Sequence, residues 1–158
     1  MEDVLQTLRD RAAIETGYCR YCEVVDAKNF GRLDEVFTAD TVGDYTHAYG
    51  LGAVRHGLAT LVELMTLNLG PLSACGATHH NVGNFRIDVA GDRAHARANF
   101  YAVHGQRARP AAPLYSMWGE YDDDWIRSAD GWRITHRRYR LFLEDGPKEI
   151  LGPSTAAT

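Results

Sequence analysis

No apolar run in this 158-residue chain approaches the roughly 20 residues that a membrane-spanning helix needs, so a membrane anchor is not expected. Lysine is almost missing: Lys28 and Lys148 are the only two, and arginine makes up the rest of the 17 basic residues. Against 21 acidic residues the net charge is -4 with no basic tract, which argues against nucleic acid or an anionic lipid surface as a partner. Cysteine is scarce, and three cannot pair completely. Cys19 and Cys22 form a C-x-x-C inside a helical pattern, and Cys75 stands alone. Reduced, buried thiols fit better than a zinc or redox site, which would want further ligands at matching spacing. Also absent are G-x-S-x-G, a Walker loop, G-x-G-x-x-G after a strand and H-E-x-x-H, so no metal, nucleotide or redox cofactor is expected. The first residues, MEDVLQTLRDR, are charged from the second onward and carry no apolar h-region; a secretory signal is not expected, and the cytoplasm is the expected compartment.

What is present suits one globular domain. Hydrophobic residues make up 45% and charged residues 24%, ordinary proportions that argue against disorder. From Val4 to Val25 apolar residues recur at helical spacing through Leu8, Ile14, Tyr18 and Cys22. A short helix over Gly31 to Phe37, a strand from Val42 to Tyr49 and a helix from Gly57 to Leu69 follow, the last stopped by Gly70-Pro71. Beyond residue 76 the period changes to two. Strands are expected over Thr78–Val89, Ala94–His104, Leu114–Ile126 and Trp132–Leu143, with turns at Gly91-Asp92 and Asp130-Gly131. Helices first and long hairpins after mean α+β, with helices packed on one face of a curved antiparallel sheet. Residues 1–144 are expected to form the single domain and 145–158 a loosely held tail.

Several residues stand out chemically. Asp26 continues the apolar stripe of the first helix, and a carboxylate there needs a partner. In Thr78-His79-His80-Asn81-Val82-Gly83-Asn84 only one histidine can face the helices. A bulge at Gly83 would put His80 inward with Val82, Phe85 and Ile87. An aspartate accepting from one ring nitrogen makes the other a better base. His104 shares a face with Phe100 and a run of alanines that leave room for a pocket. Tyr45, in the expected strand, can donate to a substrate oxygen. Arg137 is a candidate fixed charge, and Glu120, Asp122, Asp123 and Asp124 are expected to pair with the arginines of the last strand. Large residues at Tyr101, Val103, Tyr115, Met117 and Tyr121 are placed on the outer sheet face, which predicts a homo-oligomer, a trimer before other states.

Three segments, RAAIETGYCRYCEVVDAKNFGRLDEVFTAD, THHNVGNFRIDVAGDRA and YDDDWIRSADGWRITHRR, resemble the SnoaL-like branch of the nuclear transport factor two superfamily. Within it the chain looks most like the scytalone dehydratase and hexachlorocyclohexane dehydrochlorinase group. The resemblance spans about residues 8 to 143. It implies a cone-shaped α+β barrel with an internal pocket, and an Asp–His pair at Asp26 and His80. It also implies roles for Tyr45, His104 and Arg137. The dehydratase has a Tyr where Val25 stands and third-strand polar residues near Glu120 and Asp122; the dehydrochlorinase has a Lys where Tyr21 stands. Val25, Tyr21, Asp122, Asn84, Phe100, Trp118 and Arg137 are the expected substrate contacts. The implied activity is a cofactor-independent elimination on a small apolar cyclic or polyketide-like substrate, with isomerisation, cyclisation or simple ligand binding as alternatives.

Overall fold

The computed structural model describes residues 2–152 and, from residue 4 on, their side chains. A long helix, α1 (Glu2–Asp26), leads into a 3-10 turn at Phe30–Glu35. Strand β1 (Phe37–Asp44) follows, then the one-turn α2 (Thr46–Tyr49), the short β2 (Val54–His56) and α3 (Leu58–Leu69). Four long strands complete the fold: β3 (Cys75–Ala90), β4 (Arg93–Gln106), β5 (Tyr115–Ser128) and β6 (Gly131–Asp145). The sheet order is β2-β1-β6-β5-β4-β3, antiparallel except for the β1–β6 pair, and its two edges do not meet. The architecture is therefore α+β with a curled, unclosed sheet around the helices.

Strand β4 buries alternate residues, as half-buried strands do. These are Ala94, Ala96, Ala98, Phe100, Ala102 and His104. Directly opposed residues of an antiparallel pair share a face. Tyr121 faces Ala98, Met117 faces Ala102 and Tyr115 faces His104, so all three are buried under the helices. This corrects the outward placement of Tyr115, Met117 and Tyr121. The register across the 107–114 loop assigns their face, and small alanines on one strand admit large rings from the next. The bulge at Gly83 is present, and beyond it Phe85 and Ile87 stay on the core side.

Helix α1 packs Ile14, Tyr18, Tyr21, Cys22 and Val25 into that core. Gly17 is required by a close approach: a Cβ there would lie 2.8 Å from the Trp125 ring. Asp10 ties α1 to the β5–β6 hairpin. Arg127 donates to both its oxygens at 2.6 and 2.8 Å, and Trp132 Nε1 donates at 3.1 Å. Those donors, Arg127 first, hold its carboxyl down at about 2 despite burial.

Two local expectations fail. Strand β1 begins at Phe37 and stops at Asp44, so Tyr45 leads into α2 instead of lying in a strand. Asp44 accepts from the N–H and hydroxyl of Thr46, an Asx-type turn that competes with strand continuation. The expected loose tail is held as far as Gly152, whose carbonyl accepts the Ala74 N–H at 2.9 Å, and Ile150 is buried. Residues 153–158 lie outside the described residues.

Candidate functional site

Asp26 and His80 meet. His80 Nδ1 lies 2.6 Å from Asp26 Oδ1, and the His80 backbone N–H donates to Oδ2 at 2.9 Å. The contact follows from local structure. Asp26 is the last residue of α1, one turn past buried Cys22. His80 is on the inward phase of β3, paired with Ala102, while His79 points outward with 67% of its side chain exposed. Thr78, two residues before His80, shares its face, and its hydroxyl donates to Asp26 Oδ1 at 2.8 Å. Burial works to raise the Asp26 carboxyl, but the His80 and Thr78 donors outweigh it and leave the group below its ordinary value.

His104 stands across the ladder from Thr78, and its ring centroid is 5.6 Å from that of His80, edge to face. Its Nδ1 is 3.2 Å from the Tyr115 carbonyl oxygen. A carbonyl only accepts, so Nδ1 carries the proton and Nε2 the lone pair. Burial, reinforced by the nearby His80, pushes His104 down to about 3, and it is neutral at pH 7. The Tyr21 ring lies 6.4 Å from His80 and 5.5 Å from Tyr121, both edge to face, while Phe100 stacks on Tyr121 at 4.6 Å. Val25 is fully buried beside them on α1.

Arg137 is the other centre of charge. It is fully buried and donates to Asp123 through Nε at 3.0 Å and Nη2 at 2.7 Å. Its Cζ lies 4.0 Å above the Tyr121 ring and 4.3 Å above the Tyr21 ring. Burial opposes its charge, yet Asp123 holds the guanidinium well above the ordinary arginine value. Burial pushes the Asp123 carboxyl up, and the bidentate guanidinium is what opposes that. Nη1 of Arg137 and the hydroxyl of Tyr45 are buried without a hydrogen-bond partner. Burial raises the Tyr45 phenol, with Arg137 and Tyr21 beside it pulling the other way. The Tyr45 hydroxyl lies against Arg137 and Tyr21, so these polar groups share one neighbourhood that is suited to an acceptor oxygen; a buried donor left without a well-made bond costs about 1–3 kcal/mol.

Three expected contacts fall elsewhere. Asp122 is on the outer phase of β5, where it accepts from Arg140 Nη2 at 2.5 Å and lies near Arg138. Trp118 is also outward and stacks on Tyr101 at 5.1 Å. Asn84 is exposed in the β3 bulge with φ 53. Parity accounts for all three: inward residues of β5 carry odd numbers, and the bulge turns Asn84 away. The charge ladder does join Asp122, Asp123 and Asp124 to arginines of β6, but Glu120 reaches Arg86 on β3 instead. Asp123, Thr78 and Lys28 were not singled out as site residues. The alternation Tyr121, Asp123, Trp125 was a signal for the first; nothing local marks the others.

A family model described as a SnoaL-like domain matches residues 6–138. The chain belongs to the SnoaL-like family. The protein Rv2910c of Mycobacterium tuberculosis is 32% identical over 133 residues, covering 82% of this chain and 84% of that protein. Among solved structures, a scytalone dehydratase candidate from Novosphingobium aromaticivorans aligns with TM-score 0.76 at 19% identity, covering 100% of this chain and 99% of that one. The hexachlorocyclohexane dehydrochlorinase of Novosphingobium barchaimii aligns with TM-score 0.69 at 17% identity, with 97% and 95% covered. A nuclear transport factor 2-like superfamily protein of Salmonella enterica gives TM-score 0.71 at 17% identity, with 96% of each chain covered. At these identities the structures establish the shared fold. No helix among the described residues is long and apolar enough to cross a membrane.

Proposed function

We propose that this SnoaL-like domain is a cofactor-independent lyase in which His80 is the general base. The observation that carries the reading is the 2.6 Å contact between His80 Nδ1 and Asp26, which leaves Nε2 as the ring nitrogen able to take a proton. His80 Nε2 takes a proton from carbon next to a carbonyl, and Asp26 stabilises the imidazolium that forms. The Tyr45 hydroxyl and Arg137 Nη1 donate to the carbonyl oxygen as it gains charge. Tyr21, Val25 and Phe100 supply the apolar contact that favours a small cyclic or polyketide-like ketone. The His80 imidazolium then returns its proton to a departing hydroxyl, and water leaves.

His104 serves as an acceptor for a substrate hydroxyl in this scheme. With Nδ1 committed to Tyr115 and the ring neutral, it has no proton to give a leaving group. That same observation favours a second reading, isomerisation or cyclisation, in which His80 returns the proton to carbon and no group departs. The protein is further proposed to self-associate through its outer sheet face, where Tyr101 and Trp118 stack and Phe142 is 57% exposed.

The test follows α-proton exchange of cyclic ketones, with and without a β-hydroxyl, in deuterated water by mass spectrometry. Wild-type protein should accelerate exchange, and His80→Ala should lose about 100- to 10,000-fold. Acceleration that survives in His80→Ala would overturn the base assignment and favour a binding domain. Loss of water from the β-hydroxy ketones separates a lyase from an isomerase.

A further inference from the structure

Lys28 lies two residues beyond α1 with φ 58, a left-handed conformation that residues with a Cβ seldom adopt. Its N–H donates to the Val25 carbonyl at 3.1 Å, and the Asn29 N–H to the Val24 carbonyl at 3.0 Å. This pair of bonds is a Schellman closure, whose left-handed position usually holds glycine. A lysine here gives up backbone ease. Its side chain makes a contact that glycine cannot: Nζ donates to Thr78 Oγ1 at 2.5 Å.

The order of protons beyond that contact is forced. An ammonium has no lone pair, so Thr78 must accept from Lys28, and its single hydroxyl proton is left for Asp26 Oδ1 at 2.8 Å. The His80 backbone N–H already donates to Oδ2. A carboxylate surrounded by donors stays ionised, and Nδ1, 2.6 Å from Oδ1, must donate as well. The ring lone pair is then on Nε2.

We propose that Lys28 and Thr78 are positioning residues, whose relay from ammonium to hydroxyl to carboxylate holds Asp26 as an anion and His80 in the tautomer with Nε2 free. The catalytic meaning rests on the base reading above; the tautomer of His80 and the titration of Asp26 are measurable without any substrate. The other titratable groups facing the relay are Cys22 and Tyr21 on α1, Cys75 and His79 on β3, His104 on β4 and Arg107 just beyond it. None of these donates a hydrogen bond to Asp26 in place of Thr78.

The experiment is long-range proton–nitrogen correlation on isotope-labelled histidine through a pH titration, in the wild type and in Lys28→Gly, Lys28→Arg, Thr78→Val and Thr78→Ser. Lys28→Gly removes the ammonium while suiting the left-handed backbone, so its melting temperature should hold or rise. The Asp26 carboxyl, read through the His80 Nδ1 signal, should nevertheless protonate at higher pH, because a nearby positive charge no longer favours the carboxylate. Thr78→Val removes one donor from Asp26 Oδ1 and should let the carboxyl rise toward the ordinary aspartate value. Lys28→Arg and Thr78→Ser should restore wild-type behaviour. An unchanged tautomer and an unchanged titration in both Lys28→Gly and Thr78→Val, with the fold intact, would overturn the proposal. Failure of the catalytic reading looks different: exchange would persist in His80→Ala whatever the tautomer data show.

Discussion

Removing Arg137 should be far more damaging than removing the whole ion pair. Arg137 and Asp123 have side chains with 0% exposure, and three nitrogen–oxygen approaches between 2.7 and 3.3 Å join them. With charge centres about 4 Å apart at an effective dielectric constant of about 20, their attraction is about 4 kcal/mol. Arg137→Met deletes that attraction and leaves the Asp123 carboxylate buried beside Tyr18 with no cation. Breaking a buried pair in this way costs about 3–5 kcal/mol. The double variant Asp123→Leu with Arg137→Met leaves no stranded charge and should recover most of the loss, since an apolar replacement is often neutral or better. Urea unfolding of both proteins decides the matter. At about 2 kcal/mol per molar, Arg137→Met should lower the midpoint by about 2 M, with the double variant near the wild type. A single variant within 1 kcal/mol of wild type, or a double variant as unstable as the single, would refute the reasoning. Activity should separate from stability. The double variant folds but lacks the Nη1 donor, so carbonyl polarisation should stay impaired.

His104 is held near 3 in the folded protein against an unfolded value near 6.5, so between these values the unfolded chain binds more protons. Stability should therefore fall as pH drops from about 6.5 toward 3, by at most about 4–5 kcal/mol, and His104→Leu should flatten that slope in urea titrations. Asp26 works in a lower window: its depressed carboxyl contributes stability present above the unfolded value, near 3.8, and lost as the pH falls below it, a component absent from Asp26→Asn. In proton exchange Asp26→Asn should approach His80→Ala, because it keeps the shape and loses the charge facing the imidazolium. Gly119→Ala should destabilise by more than about 2 kcal/mol in thermal melts, since its Cβ would lie 2.1 Å from the Arg140 carbonyl oxygen and 2.6 Å from Phe100.

The sequence by itself determined the order of the long helices and long strands, because periodicity is local, while the short α2 and β2 were not legible in it. The helical stripe through Tyr18 and Cys22 and the period-two strands after residue 76 both report which side of an element must be dry. The same arithmetic brought Asp26 and His80 inward, since a carboxylate in phase with an apolar stripe and a histidine in phase with Ile87 must share an interior. What needed the tertiary structure was everything that depends on how one strand is registered against the next. The face of Tyr115, Met117 and Tyr121 was decided by pairing across the 107–114 loop, whose length in space cannot be read from composition. That pairing exchanged Asp122 for Asp123 as the inward acid, and turned Trp118 to the outer face. Lys28 and Thr78 are 50 residues apart, and only the docking of the helix end on β3 joins them. A one-residue slip reverses every side chain of a strand, which is why phase within an element was legible and the face shared between elements was not.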